Sequence, residues 1–234
     1  SRAVIFVHSY GKNRLEFGVD TVYLIKEFMA RGYSVLTFDL RNSGESDGNS
    51  CTFGFYEKDD VKAAIKYIRD QGYKDIVLMG FSTGASAAIM ACAESTLADG
   101  TAMVDAVIAD SPYSDLKSYF SSSLHKWTGL PSFPFNRITA FAVGVAGGFK
   151  LTDASPVDVM TAENLPHLML IHSRNDDLVP VINSIELYQQ YSGLNASGAE
   201  FWQTEYEGHA SGYIEDRDRY MERIFSFLDR VYPD

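Results

Sequence analysis

The sequence is poor in cysteine and has no long hydrophobic run, and each shortage excludes a class of protein. Cys51 and Cys92 are its two cysteines among 234 residues, too few for a disulfide scaffold and without metal-ligand spacing. The longest apolar stretch, residues 140–148, is interrupted by glycines and is far shorter than the roughly 20 residues that a membrane span needs. We therefore expect no membrane-spanning segment.

Basic residues are also scarce. The chain has 20 Lys and Arg against 31 Asp and Glu, a formal net charge of −11. This balance argues against nucleic acid or an anionic membrane as a partner, because both are bound through an excess of positive charge. With 46% hydrophobic and 22% charged residues, the composition is that of a globular domain and excludes disorder and coiled coils.

The chain begins Ser1-Arg2, with no initiator methionine, and enters a strand-like run at once. We expect that a preceding segment is missing. The 234 residues contain no recognisable leader, which predicts a cytoplasmic protein. An export signal or anchor in a preceding segment would reverse that expectation.

Short β-branched runs alternate with amphipathic helical patterns, which predicts an α/β fold with a mostly parallel sheet flanked by helices. The predicted strands are residues 3–7, 34–38, 76–79, 104–109, 167–171 and 200–206. The predicted helices are residues 21–30, 58–69, 83–94 and 214–231. In the first helix we expect Val22, Ile25 and Met29 on the buried face.

One interval breaks this alternation. Residues 113–166 separate two predicted strands by far more chain than an ordinary crossover needs, and they are rich in aromatics. We predict a helical cap inserted at 113–166 into a core formed by 1–112 and 167–234. Tyr113, Trp127 and Phe133 are candidate substrate contacts, although they fit the small core of the cap itself equally well.

Residues 80–84 carry the sharpest motif, Gly-Phe-Ser-Thr-Gly, between a predicted strand and a helix of small residues. This G-x-S-x-G pattern in a strand–turn–helix context is typical of a nucleophile elbow. Glycines permit the sharp turn, which presents the Ser82 hydroxyl at a helix N-terminus, where the dipole favours negative charge.

A serine nucleophile needs a base and an acid that orients it. Of the five histidines, His209 alone follows a late strand in a glycine-containing loop, which predicts it as the base. Asp176 is the favoured acid because of its spacing to the following Val-Pro pair. Asp177, its neighbour, and Asp110, at the end of the preceding strand, stay open as alternatives.

An oxyanion hole needs two backbone N–H donors aimed at the developing charge. The residue after the nucleophile, Thr83, supplies one. The loop after the first strand should supply the other, and Tyr10 lies at the right offset, with Gly11 next to it.

Five segments together resemble the α/β-hydrolase superfamily, on the side of its prolyl oligopeptidase-like and cinnamoyl esterase-like branches. These are the H-S-Y-G loop at 8–11, the D-x-R-x-x-G-x-S loop at 38–46, the elbow at 80–84, the H-x-x-x-D-x-x-V-P block at 172–180 and the G-H pair at 208–209. They cover almost the whole chain in the family's order. Two departures stand out: Ser9 replaces the family's glycine, and the usual N-terminal hairpin is absent.

The resemblance implies a Ser82–His209–Asp176 triad, acyl transfer through an acyl-enzyme and no metal or organic cofactor. The aromatic interval favours a carboxylesterase acting on a small ester with an apolar or aromatic group. A serine peptidase cleaving short peptides and a thioesterase are alternatives with the same triad. A non-enzymatic binding protein is disfavoured because all three triad residue types are present.

Overall fold

Six parallel strands form a single sheet in the computed structural model, which describes residues 1–121 and 131–233, without the side chains of 132–134, 136 and 137. The sheet has the order β2-β1-β3-β4-β5-β6, and every pairing between these strands is parallel. The predicted α/β architecture is therefore confirmed. The strands are β1 (Arg2–Val7), β2 (Ser34–Thr37), β3 (Asp75–Phe81), β4 (Ala106–Asp110), β5 (Leu168–Asn175) and β6 (Ala199–Glu207).

Helices cover both faces of the sheet. They are α1 (Thr21–Ala30), α2 (Glu57–Asp70), α3 (Thr83–Glu94), α4 (Ser132–Gly147), α5 (Pro156–Val159), α6 (Ile182–Leu194), α7 (Gly212–Glu215) and α8 (Arg217–Val231), with a 3₁₀ turn at Leu151–Asp153. Residues 116–121 are also helical. In the described part of the chain, no helix combines the length and apolar character needed to cross a bilayer.

The core has two layers because successive strand residues point to opposite faces of the sheet. On one face, Ile5 and its same-face neighbours pack against α2, α3 and α6. On the other face, Phe6 and its neighbours pack against α1 and α8. Strand β1 is fully buried after its first residue, as expected for a parallel strand covered on both sides.

The bounds of α1 match the prediction, but of the three residues predicted for its buried face only Ile25 packs against the core. Leu24 and Phe28 are fully buried, whereas Val22 and Met29 are more than half exposed. Both sets of residues fit a helical period, so spacing alone does not select between them. Packing selects Leu24 and Phe28, because Phe28 contacts the rings of Phe6 and Phe225.

The last predicted helix, 214–231, is two helices. The chain breaks at Asp216, which has extended backbone angles and whose carboxylate accepts a hydrogen bond from the amide of Arg219 at 3.2 Å. An aspartate in this position is a strong N-cap, so α8 starts afresh there. The break places Gly212 and Tyr213 of α7 in buried positions beside the loop that carries His209.

In the 113–166 interval the described residues include helices 116–121, α4 and α5. Side chains from this interval form a third apolar cluster with Val179 and with residues of the loop before α2. The interval contributes Tyr113, Leu116, Tyr119, Phe120, Phe149, Leu151 and Ala154, and the loop contributes Phe53 and Phe55. The separation of this interval into a cap of its own stays a prediction.

Two glycines bring α3 unusually close to the sheet. A Cβ atom at Gly84 would lie 2.3 Å from the carbonyl oxygen of His8 and 2.5 Å from that of Val7. A Cβ atom at Gly80 would lie 2.6 Å from the Cα atom of Ala85. These neighbours are backbone atoms, which cannot rotate away, so both positions require glycine.

We expect Gly84→Ala to lower the free energy of unfolding by about 2 kcal/mol or more, because the added methyl group pushes α3 away from β1. The measurement is urea denaturation followed by circular dichroism. Gly193→Ala in α6 is the matched control, since a Cβ atom there meets nothing within 4 Å. The control should be neutral or stabilise by about 0.5 kcal/mol. Equal destabilisation by both substitutions would contradict the close-approach argument.

Candidate active site

Ser82 lies between β3 and α3 in a strained conformation. Its backbone has φ +55° and ψ −122°, a region that residues with a side chain rarely occupy. The turn is held on both sides: the Ser82 amide donates to the carbonyl of Asp110 at 2.8 Å, and the Ser82 carbonyl accepts from the amide of Ala85 at 3.0 Å. Strain of this kind persists where the surrounding structure enforces it and is typical of functional sites.

Asp176 and His209 are in direct contact. Nδ1 of His209 donates to Oδ2 of Asp176 at 2.7 Å. The other carboxylate oxygen of Asp176 accepts from the amides of Leu178 and Val179 at 2.9 and 2.8 Å. Burial raises the pKa of Asp176, but hydrogen bonds from His172 and His209 outweigh it and bring the pKa well below its ordinary value. Asp176 is thus a buried carboxylate that stays ionised.

The second ring nitrogen of His209, Nε2, is buried and has no hydrogen-bond partner within residues 1–121 and 131–233. No hydrogen bond joins it to Ser82 in this described part. Catalytic hydrogen bonds are often loose in a free enzyme and tighten with substrate. The structure therefore brings the predicted base and the predicted acid together.

The two alternative acids lie in different settings. Asp177 is exposed. Asp110 is fully buried at the end of β4, and its two oxygens accept from the hydroxyls of Tyr220 at 2.7 Å and Ser111 at 3.0 Å. Burial raises the pKa of Asp110, against the opposing effect of these hydrogen bonds. Neither carboxylate hydrogen-bonds to His209 in the structure.

The two predicted oxyanion donors are neighbours. The amide of Tyr10 donates to the side-chain hydroxyl of Thr83 at 2.9 Å. Thr83 is the first residue of α3, where backbone amides have no acceptor within the helix. The loop after β1 therefore lies directly beside the N-terminus of α3. The hydrogen bond to the Thr83 side chain was not predicted.

Two buried polar residues brace the loop after β1 against the loop after β2. Nε2 of His8 accepts from the amide of Leu40 at 3.0 Å, and burial lowers the pKa of His8, which favours the neutral ring. Asp39 accepts from the backbone amides of Arg14 at 2.6 Å and Glu45 at 2.9 Å. The same carboxylate also pairs with the Arg14 guanidinium. The H-S-Y-G and D-x-R-x-x-G-x-S motifs thus hold each other in place.

Comparison with known proteins identifies the family of the chain. The sequence profile described as "Alpha/beta hydrolase family" matches residues 4–223. The chain belongs to the alpha/beta hydrolase family. It is 30% identical over 206 residues to Uncharacterized protein YqkD of Bacillus subtilis, covering 87% of this chain and 65% of that protein. It is 25% identical to Lysophosphatidylserine lipase ABHD12 of Danio rerio over 206 residues, 84% of this chain and 50% of that protein.

Among solved structures, this hydrolase is similar to the Pyrococcus furiosus esterase Pf2001. The TM-score is 0.75 and the identity 27%, with 98% of this chain and 83% of that chain covered. The chain spans 65% and 50% of the length of the two curated relatives above. Family membership and likeness to an esterase support hydrolase activity.

A cavity of about 330 Å³ adjoins the two predicted oxyanion donors of the hydrolase. It is lined by residues 8–13, residues 40–44, Cys51, Phe53, Gly54, Glu57 and Thr83. Burial and the nearby Glu57 raise the pKa of the Cys51 thiol to about 12, so that thiol stays protonated at neutral pH. The described lining is mixed polar and apolar and includes the rings of Tyr10 and Phe53.

The predicted aromatic contacts have different outcomes. Tyr113 is fully buried, and its hydroxyl donates to the carbonyl of Phe53 at 2.8 Å, so it supports the cavity wall from behind and does not line the cavity. A tyrosine hydroxyl buried among apolar side chains needs such an acceptor. Trp127 and the side chain of Phe133 lie outside the described residues. Phe53 itself was missed, because an isolated loop aromatic carries no recognisable pattern.

The opposite pKa shifts of Asp176 and Asp110 predict opposite pH dependences of stability. Asp176, with its lowered pKa, contributes stability above the ordinary carboxyl value of about 4 and loses it as the pH falls. Asp110, with its raised pKa, costs stability as the pH rises above that value. The advantage of wild type over Asp176→Asn should therefore grow from about pH 3 to pH 7, and that over Asp110→Asn should shrink.

Urea unfolding curves at several pH values measure both differences. The two variants are controls for each other, because each exchanges one buried aspartate for asparagine near the same histidine. Differences that change in the same direction for both variants would contradict the opposite electrostatic settings of the two carboxyl groups.

Proposed function

We propose that this hydrolase is a serine esterase that cleaves carboxylic esters through Ser82, His209 and Asp176 by way of an acyl-enzyme. The observation that carries the proposal is the 2.7 Å hydrogen bond from His209 to a buried, ionised Asp176, while Nε2 of the same ring has no partner among the residues that the structure describes. This arrangement fixes the tautomer of a general base, because Nδ1 carries the proton and Nε2 holds a lone pair.

In the first half of the reaction, Nε2 of His209 takes the hydroxyl proton of Ser82 as Oγ attacks the ester carbonyl carbon. The carbonyl π electrons move to oxygen, and Asp176 stabilises the imidazolium that forms. Collapse of the tetrahedral intermediate breaks the bond to the alcohol oxygen. The imidazolium returns its proton to that oxygen, so an alcohol leaves and an acyl group stays on Ser82.

In the second half, water repeats the sequence. His209 removes a proton from water, the resulting hydroxide attacks the acyl carbon, and collapse expels the Ser82 oxygen, which recovers its proton from His209. A carboxylic acid is released and the enzyme is restored. Every proton transfer in this scheme uses groups of the chain itself and water.

Stabilisation of the oxyanion falls to the amides of Thr83 and Tyr10. In the free enzyme the Tyr10 amide donates to the Thr83 hydroxyl at 2.9 Å. The negative oxygen is a stronger acceptor than a hydroxyl, so the amide exchanges one acceptor for the other as charge develops. The Thr83 amide at the first position of α3 adds the favourable field of the helix N-terminus.

We expect Ser82→Ala to abolish ester turnover and labelling by a fluorophosphonate probe while the protein stays folded, because the alanine lacks the attacking oxygen. Hydrolysis of p-nitrophenyl esters and labelling on a gel are the two measurements. Ser192→Ala, which removes an exposed hydroxyl on α6, is the matched control and should behave as wild type. Labelling of the Ser82→Ala variant would refute the assignment of the nucleophile.

The same purified protein distinguishes the substrate classes. Esters are favoured because the names of two relatives describe ester-cleaving enzymes, an esterase and a lipase. A panel of p-nitrophenyl esters, aminoacyl amides and acyl thioesters should show a clear preference for the esters. A preference for aminoacyl amides would make the protein a peptidase, and wild-type protein that no probe labels would make it a binding protein.

The choice of acid has its own test. We expect Asp176→Asn to lower kcat by roughly 10³- to 10⁴-fold, because the amide favours the wrong tautomer of His209. Asp110→Asn should lower kcat far less, since Asp110 bonds to Tyr220 and Ser111 and not to the imidazole. Steady-state kinetics on one ester measures both. The reverse ranking would make Asp110 the catalytic acid.

A further inference from the structure

His172 lies on β5 at the carboxyl end of the sheet and is fully buried. Its Nε2 atom is 2.8 Å from the carbonyl oxygen of Val179 and 3.3 Å from Oδ2 of Asp176. Its Nδ1 atom is 2.7 Å from the hydroxyl of Ser184 on α6. In the sequence, His172 follows the predicted strand 167–171 and is the first residue of the H-x-x-x-D-x-x-V-P block, but no role was predicted for it.

We infer that His172 is a positioning residue that holds the Asp176 carboxylate in line with His209. The inference rests on the proposed function, in which Asp176 is the acid, and adds a residue outside the triad. It follows from the contacts on the two ring nitrogens, because each nitrogen engages a different element next to Asp176.

The carbonyl contact places a proton on one ring nitrogen. A carbonyl oxygen only accepts, so Nε2–H of His172 donates to Val179. Nδ1 pairs with the Ser184 hydroxyl, which can donate or accept. The ring is therefore held at both ends, and its Nε2–H also lies close to the Asp176 oxygen that receives the hydrogen bond from His209.

The backbone of Val179 links Asp176 to His172. Val179 donates its amide to Oδ1 of Asp176 at 2.8 Å, and its carbonyl accepts from His172. One residue thus ties the carboxylate to the buried ring through both of its backbone groups. Without the Nε2–H donor, the Val179 carbonyl loses its hydrogen bond to His172, and the loop after β5 loses one of its contacts with that strand.

Other charged groups surround this pair. Asp110 faces His172 and His209 from the end of β4, and Tyr119 faces Asp176 from helix 116–121, where burial first and Asp176 second raise the tyrosine pKa. Replacement of His172 leaves both groups in place. A change in the behaviour of Asp176 in such a variant therefore reports on the lost Nε2–H donor.

Two polar substitutions distinguish the contribution of Nε2 of His172 from that of Nδ1. The amide of His172→Gln reaches the Nε2 position and can still donate to Val179, whereas that of His172→Asn reaches only the Nδ1 position near Ser184. We expect His172→Asn to raise the midpoint of the Asp176 carboxyl titration, followed by ¹³C NMR, by roughly one pH unit or more. It should lower kcat roughly ten- to hundredfold with KM little changed.

His172→Gln should restore the midpoint and bring kcat to within roughly threefold of wild type, since one donor at the right position suffices. His167→Asn is the control. It makes the same exchange just before the same strand, next to Phe227 and away from the site, and should change neither quantity. Thermal unfolding of all variants identifies any simple loss of folding.

Equal titration midpoints for His172→Asn, His172→Gln and wild type would overturn the inference, as would a loss of activity shared equally by Asn and Gln. The carboxyl titration is independent of turnover. If Ser82→Ala retains activity, the proposed function fails while the titration still decides the role of His172.

Discussion

The close approach of α3 to β1 is the constraint on which the site depends. Gly84 brings the first turn of the helix against the carbonyl oxygens of Val7 and His8, and Gly80 brings the strand before it against the same turn. With this contact in place, Ser82 is forced into its left-handed conformation, and the N-terminus of α3 meets the loop that carries Tyr10. A larger residue at Gly84 would push the N-terminus of α3 away from the loop after β1, and so separate Ser82, the predicted nucleophile, from Tyr10, its predicted oxyanion donor in that loop.

The carboxyl ends of the parallel strands supply the rest of the site. Asp110 ends β4, His172 and Asp176 lie at and beyond the end of β5, and His209 follows β6. Because neighbouring parallel strands end at the same edge, residues far apart in sequence meet there. The two buried aspartates then acquire different roles from their partners: Asp176 bonds to His209, and Asp110 bonds to the Tyr220 hydroxyl of α8.

Features encoded within a few residues could be predicted from the sequence. The strand–turn–helix around Ser82 and the Asp-x-x-Val-Pro spacing are of this kind, and the fold class followed from the alternation of strands and helices. The buried face of α1 could not be predicted, because two sets of residues share the helical period and distant aromatics select one. The hydroxyl of Thr83, the ring of His172 and the backbone of Phe53 acquire their contacts from other segments, so no local pattern announces them.

Phe53 has a consequence for how sequences of this kind diverge. It adopts a left-handed backbone with φ +56°, its carbonyl receives the Tyr113 hydroxyl, and its ring contacts Tyr10 and Phe120 at centroid distances of 5.2 Å each. The interval 113–166 and the loop after β1 are therefore joined through one side chain. A substitution that removes the Tyr113 hydroxyl also removes the hydrogen bond that holds the backbone of residue 53 at a positive φ. Glycine, which adopts a positive φ without strain, is then favoured at position 53. We accordingly expect positions 53 and 113 to covary, so that the interval and the loop evolve as one unit.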